Sequence, residues 1–251
     1  MPHTTLAVDG HIATLTLDPP AEGYDRVFIE ALADACGSVA AQTADVRAVV
    51  IVSSGPLGNG WSTAALGEER TPAGSSLGGG FDALAAIPQP TVIAISGEAH
   101  SAGLELALAA DIRVAGQGAT FAMPDAALGM VPLGGGTQRL PRAIGRAHAL
   151  RLLLTGEVIG AEEARRIGLV SAVVEDAAVA GAARAIADQI ATRGPIATRM
   201  VKEAIHRGSE MGLQQALRYE LDLSILLQST ADRAEGVRAF AAKQPPTFIG
   251  E

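Results

Sequence analysis

The sequence predicts an α/β fold that ends in a helical segment. A strand, turn, helix, strand unit appears twice in the first two thirds of the chain, and after Asp176 the pattern changes to helix after helix. At 251 residues the chain suits one large domain, or a core with an appendage, and is long enough to bury a sizeable core.

The elements follow in chain order. "TTLAVDGHIATLTLDPP" holds two β-rich runs around Asp9-Gly10, a dipeptide suited to a tight hairpin turn whose two central residues take positive φ. From Arg26 to Ala41 apolar residues recur at helical spacing, and "VRAVVIVSS" is the short β-branched run of a buried strand. Residues 54 to 80 are rich in Gly and Ser and read as a long, mobile loop, which in a compact domain is usually functional or disordered. "PQPTVIAIS" is the next strand, "AGLELALAA" a helix, and "DIRVAG" and "TFAM" two more short strands. "GGGTQRLPRAIGRAHALRLLLTG" and "GAEEARRIGLVSAVV" supply further helices, the second followed by a strand. Four helical patterns complete the chain, an ending that often serves subunit packing or covers a site.

Charge and composition exclude several function classes. With 19 basic and 27 acidic residues the net charge is −8, and no Lys/Arg cluster forms a nucleic-acid footprint. Apolar residues make up 48%, yet their runs are short and broken by Gly, Pro or charge, so no membrane span is expected. The N-terminus has neither a basic region nor a continuous apolar stretch, and a cytoplasmic location is expected. The single cysteine, Cys36, sits in an apolar helical pattern and reads as a buried structural thiol. His3, His11, His148 and His206 are not at metal-ligand spacing with His100, so no metal site is expected.

Chemistry concentrates in two stretches. In "GEAHSAGLE" small residues precede a helix whose first N–H groups lack internal acceptors, and whose positive end suits a developing oxyanion. Close helix-to-strand packing explains the same small residues. Glu105 lies one turn inside the apolar helix "LELALAA", where unpaired acids are rarely buried. In "FAMPDAALGMVPLGGGTQRLP" a second acid, Asp125, follows a proline, and a triple glycine opens a helix. No Lys follows Gly136, which excludes a nucleoside-triphosphate loop. His100, beside the first turn, is either a general base or structural.

These residues together resemble the crotonase superfamily, the enoyl-CoA hydratases and isomerases. The likeness is strongest from Val92 to Val174: the turn before "ELALAADIR", "PD" before "LGMVP", "GGTQRLPR", then "LLLTG" and "AEEARRIGLV". It covers most of the chain and is weak before about residue 45. The resemblance implies a crotonase-like spiral of ββα units with two roughly perpendicular sheets, residues 1–190 forming the core with an acyl-CoA site and residues 191–251 a helical oligomerisation region. It implies homotrimers, commonly paired into homohexamers, and an acyl-CoA thioester substrate whose coenzyme A makes a separate cofactor unnecessary.

By position, the resemblance makes the N–H groups of Ala65 and Ala102 the oxyanion donors, Ala102 serving in place of a glycine if its φ/ψ permits. Glu105 and Asp125, 20 residues apart, correspond to the two acids that hydrate a double bond. Glu105 holds the water and Asp125 transfers a proton at Cα, as a coupled pair. Trp61, Leu66, Gly103, Leu133 and Gly134 are the expected substrate contacts, with Phe81, Leu84 and Met130 as further lining. Two departures stand out: Thr63-Ala64-Ala65-Leu66 replaces the usual "A-G-A-D", and Asp125 is one methylene shorter than the usual glutamate. An error of about 1 Å in a catalytic group can cost about a hundredfold in rate. Three functions remain open at this point: hydration of a 2-enoyl-CoA, double-bond isomerisation by Asp125 alone, and acyl-CoA binding without chemistry.

Overall fold

A computed structural model describes residues 3–58, 60–67 and 78–251. Strands β1 (Thr4–Asp9) and β2 (Ile12–Leu17) form the expected antiparallel hairpin. Asp9 pairs with Ile12, so the turn consists of Gly10 and His11, and only Gly10 takes positive φ, 57°. Helix α1 (Arg26–Ala40) is capped by Asp25, whose Oδ1 accepts the Phe28 N–H at 2.8 Å, and it buries Phe28, Leu32, Cys36 and Val39. Burial pushes the Cys36 thiol up to about 12, so it stays protonated and inert, as its apolar setting suggested.

Strands β3 (Ala48–Ser53), β4 (Thr91–Ile95), β6 (Ile112–Gly116) and β9 (Ala172–Val174) extend the hairpin into one six-stranded sheet, ordered β1-β2-β3-β4-β6-β9 and parallel after β2. Strands β3 and β4 at its centre are apolar on both faces because both are covered. Val49, Ile51, Ile93 and Ile95 enter the main core. Their neighbours Ala48, Val50, Val92 and Ala94 pack under Val179, Ala183 and Ala187 of α7 (Val179–Ala191).

A second sheet is built from β5 (Glu98–His100), β7 (Thr120–Ala122) and β8 (Ile159–Gly160), the first pair parallel and the second antiparallel. The sequence reading placed Glu98–His100 in a turn; three residues are too few to show a two-residue period, and only the partner strand reveals them. Helix α4 (Ala102–Ala109) follows β5 and packs against it and against α3 and α5, with every residue of it buried. A helix apolar all round except for one acid belongs in a core.

Residues 54–80 are not one loop. They contain α2 (Thr63–Gly67) and the start of α3 (Gly79–Ala85), while Asn59 and residues 68–77 of the expected loop lie outside the described residues. Helix α5 (Gly136–Thr155) breaks at Gly145 (φ 77°, ψ 158°), a conformation open to glycine, four residues after Pro141. Helix α6 (Ala161–Arg166) precedes β9. The final helices are α8 (Pro195–Gly208), α9 (Leu213–Leu227) and α10 (Ala231–Ala242). Asp111 at the foot of β6 fastens α8 to the body: it pairs with Lys202 Nζ at 2.7 Å and His206 Nε2 at 2.9 Å, and also accepts the Thr91 N–H at 2.8 Å.

Candidate active site

Glu105 sits in the first turn of α4, fully buried. One carboxylate oxygen is held by main chain alone: Oε1 accepts the N–H of Gly134 at 2.7 Å and of Gly136 at 2.8 Å. The triple glycine excluded as a phosphate loop is thus still an anion cradle, and its anion is the protein's own carboxylate. Gly135 between the donors has φ 103°, a turn that aims both N–H groups the same way. The glycines are also needed for space, since a Cβ at Gly134 would lie 2.4 Å from the Phe81 ring and one at Gly136 2.9 Å from Pro132. Oε2 is buried and accepts no hydrogen bond among the described residues.

Burial pushes the Glu105 carboxyl above its ordinary range; the Gly136 and Gly134 N–H groups oppose this, and the nearby Asp125 charge reinforces it. The Trp61 indole N–H also favours the charged form. It closes no hydrogen bond of its own.

Asp125 lies in a 3₁₀ turn, Pro124–Leu128, directly after β7, and is 2% exposed. Its Oδ1 accepts the Ser101 hydroxyl at 2.7 Å, whereas Oδ2 is buried without a hydrogen-bond partner among the described residues. Strand β7 pairs with β5, which leads into α4, and this pairing brings two acids far apart in sequence into electrostatic contact.

The expected oxyanion donors sit at two helix starts. Ala102 is the first residue of α4, so its N–H has no intrahelical acceptor. It is not among the described residues with positive φ, so alanine is tolerated there. Ala65 is buried in α2, but its N–H donates to Ser62 Oγ at 3.1 Å, as in a side-chain cap. The segment leading to α2 is pinned from both sides. Tyr24 N–H donates to Gly60 O at 2.9 Å and Ser62 N–H to Tyr24 O at 2.9 Å, while Gly58 bridges to Ala99 of β5.

Trp61 packs at a tilt of 35° against Phe81, ring centroids 5.5 Å apart, and lies 6.2 Å from Tyr24, whose hydroxyl donates to Leu57 O. Leu66 and Leu133 are half-buried beside this core, as is Met130 at the end of the Asp125 turn, while Leu84 is fully buried. Gly103 has a packing reason for its lack of a side chain: a Cβ would stand 2.6 Å from Gly58 O. His100 is turned to Thr120, its Nε2 3.0 Å from Oγ1, and burial lowers its basicity. Gly136 was not expected as a contact, though the triple glycine signalled it; the Ser101 hydroxyl is visible in the sequence, but its direction toward Asp125 is not.

A family model described as Enoyl-CoA hydratase/isomerase matches residues 9–251. The chain is 36% identical over 253 residues to (E)-benzylidenesuccinyl-CoA hydratase of Thauera aromatica, covering 98% of each chain. It is 44% identical over 173 residues to the mitochondrial methylglutaconyl-CoA hydratase of Rattus norvegicus, covering 67% of this chain and 55% of that protein. Among solved structures, the enoyl-CoA hydratase from Bacillus anthracis superposes with a TM-score of 0.90 at 30% identity, covering 99% of this chain and 100% of that one. With its two sheets, its buried α4 and a match across nearly its whole length, the chain belongs to the enoyl-CoA hydratase/isomerase family.

Proposed function

We propose that the protein is a hydro-lyase that adds water across the double bond of a 2-enoyl-CoA. One observation carries the reading: two neighbouring buried carboxyl groups each have one oxygen held and the other unpartnered. In this reading Glu105 Oε2 takes a proton from water as the water oxygen bonds to Cβ. The π electrons move onto the thioester oxygen, which the N–H groups of Ala102 and Ala65 stabilise, Ala65 giving up its bond to Ser62. Asp125 then delivers the proton of Oδ2 to Cα. Glu105 gains one proton and Asp125 loses one, so the pair's total is unchanged.

An isomerase needs only the Asp125 half of this arrangement. The two main-chain donors committed to Glu105 favour hydration, because they hold a second acid that isomerisation leaves idle. Loss of the conjugated thioester absorbance of a short 2-enoyl-CoA is the expected outcome. Gain of that absorbance from a 3-enoyl-CoA marks the isomerase instead, and acyl-CoA that raises Tm without either change marks a binding protein.

Self-association through the C-terminal helices belongs to the same reading. Leu213, Leu217, Leu221 and Ile225 recur every fourth residue along α9 and are exposed, and Phe240 on α10 is 87% exposed. Apolar surface on this scale marks an association face, and the family resemblance makes the assembly a trimer, or two trimers paired. Light scattering that returns a monomeric mass excludes it.

A further inference from the structure

We infer that Ser101 is a positioning residue that aims Asp125 at the substrate, an inference resting on the hydratase reading of this site. Ser101 and Lys243 are the two non-glycine positions with positive φ among the described residues. At φ 45° and ψ −118° the Ser101 backbone adopts a conformation that glycine takes freely and a Cβ opposes. Chain path alone is therefore better served by glycine at this point. What serine adds is the hydroxyl, and the hydroxyl goes to Asp125.

The geometry gives that hydroxyl a chemical task. Ser101 Oγ donates to Asp125 Oδ1 at 2.7 Å, leaving Oδ2 unpartnered. An oxygen that already accepts a hydrogen bond is the poorer place for a proton, so a proton that the acid takes up sits on Oδ2, the atom free to give it to Cα. The same residue registers the other acid, because its carbonyl accepts the Glu105 N–H at 3.0 Å. Its own N–H donates to Ala122 O at 3.0 Å, three residues before Asp125. Ser101 itself is buried, so its hydroxyl has little bulk water to turn to in place of Asp125. A fixed donor of this kind lets an aspartate stand where a longer acid is usual: Ser101 sets the distance that a glutamate reaches by length.

Ser101→Ala and Ser101→Gly separate this role from a purely structural one. Both remove the hydroxyl, but glycine also relieves the backbone, so Ser101→Gly is expected to fold and to melt at or above the wild-type temperature. Each variant is expected to lower kcat by roughly 10- to 100-fold, with KM for the enoyl-CoA within about twofold. Deuterium exchange at Cα of butyryl-CoA in heavy water, followed by proton NMR, reads Asp125 without requiring hydration and is expected to slow in parallel. Wild-type exchange and kcat in Ser101→Gly overturn the inference. If the wild-type chain exchanges Cα but hydrates nothing, the hydratase reading falls and the exchange rates of the two variants still decide the role of Ser101. A wild-type chain that does neither overturns both.

Discussion

Glu105 and Asp125 are held in opposite ways. Glu105 rests on two main-chain N–H groups from the loop before α5, whereas Asp125 rests on one side-chain hydroxyl from the residue before α4. A main-chain cradle can be disturbed only by altering backbone or volume, while a side-chain anchor is removed by one atom. In the proposed hydratase reading, the first suits an acid that must remain a fixed base, and the second an acid positioned by one hydroxyl.

The largest expected effect comes from the main-chain side. Glu105→Gln keeps an oxygen for Gly134 and Gly136 but cannot take a proton, and hydration is expected to fall by roughly 10²- to 10⁴-fold with acyl-CoA binding retained. The same substitution is expected to raise Tm at neutral pH. Because the folded state raises the Glu105 pKa, the native form binds more protons than the unfolded chain between the two pKa values. Stability is thus lost as pH rises through that window, and a neutral glutamine abolishes the loss. Activity runs the other way: a base must be ionised, so kcat/KM is expected to fall as pH drops through the raised Glu105 value. A pH–rate profile still flat below the ordinary glutamate range removes Glu105 from the base role.

Gly134→Ala tests the space behind that cradle. Its Cβ meets the Phe81 ring and lies 3.1 Å from Glu105 Oε2, so overpacking of about 1–3 kcal/mol is expected. For a chain of this size that lowers Tm by about 2–4 °C per kcal/mol, together with the hydration rate. Normal activity would show the loop to be looser than its contacts imply.

On the Asp125 side, lengthening the acid sharpens the comparison. If its reach is matched to Ser101, Asp125→Glu overshoots the hydroxyl and lowers kcat by about tenfold. A faster variant shows that the short acid is a handicap.

Ser62→Ala is expected to have the smallest effect. It frees the Ala65 N–H for a thioester oxygen and removes the cap of α2, so Tm falls modestly while kcat/KM stays within about threefold of wild type. A larger loss assigns Ser62 a place in the site.

Much of this arrangement was legible along the chain. The β-branched runs at β3 and β4 announced strands buried on both faces, and the apolar helix at α4 made Glu105 conspicuous. The kink of α5 was less legible, since Pro141 and Gly145 are each tolerated in many helices and only neighbouring packing selects the break. Strand β5 was invisible for a related reason: its identity lies in its pairing with β7, not in its own three side chains.

By itself, then, the sequence determined the layered α/β order, because apolar periodicity is a local property, and its motifs carried the family resemblance and marked Glu105 and Asp125 as candidates. The tertiary structure alone decided what holds each acid. Gly134 and Gly136 reach Glu105 across 29 and 31 residues, and Ser101 reaches Asp125 across 24. Hydrogen bonds over such separations leave no period in the chain, and they exist only once β5, α4 and the start of α5 have packed together.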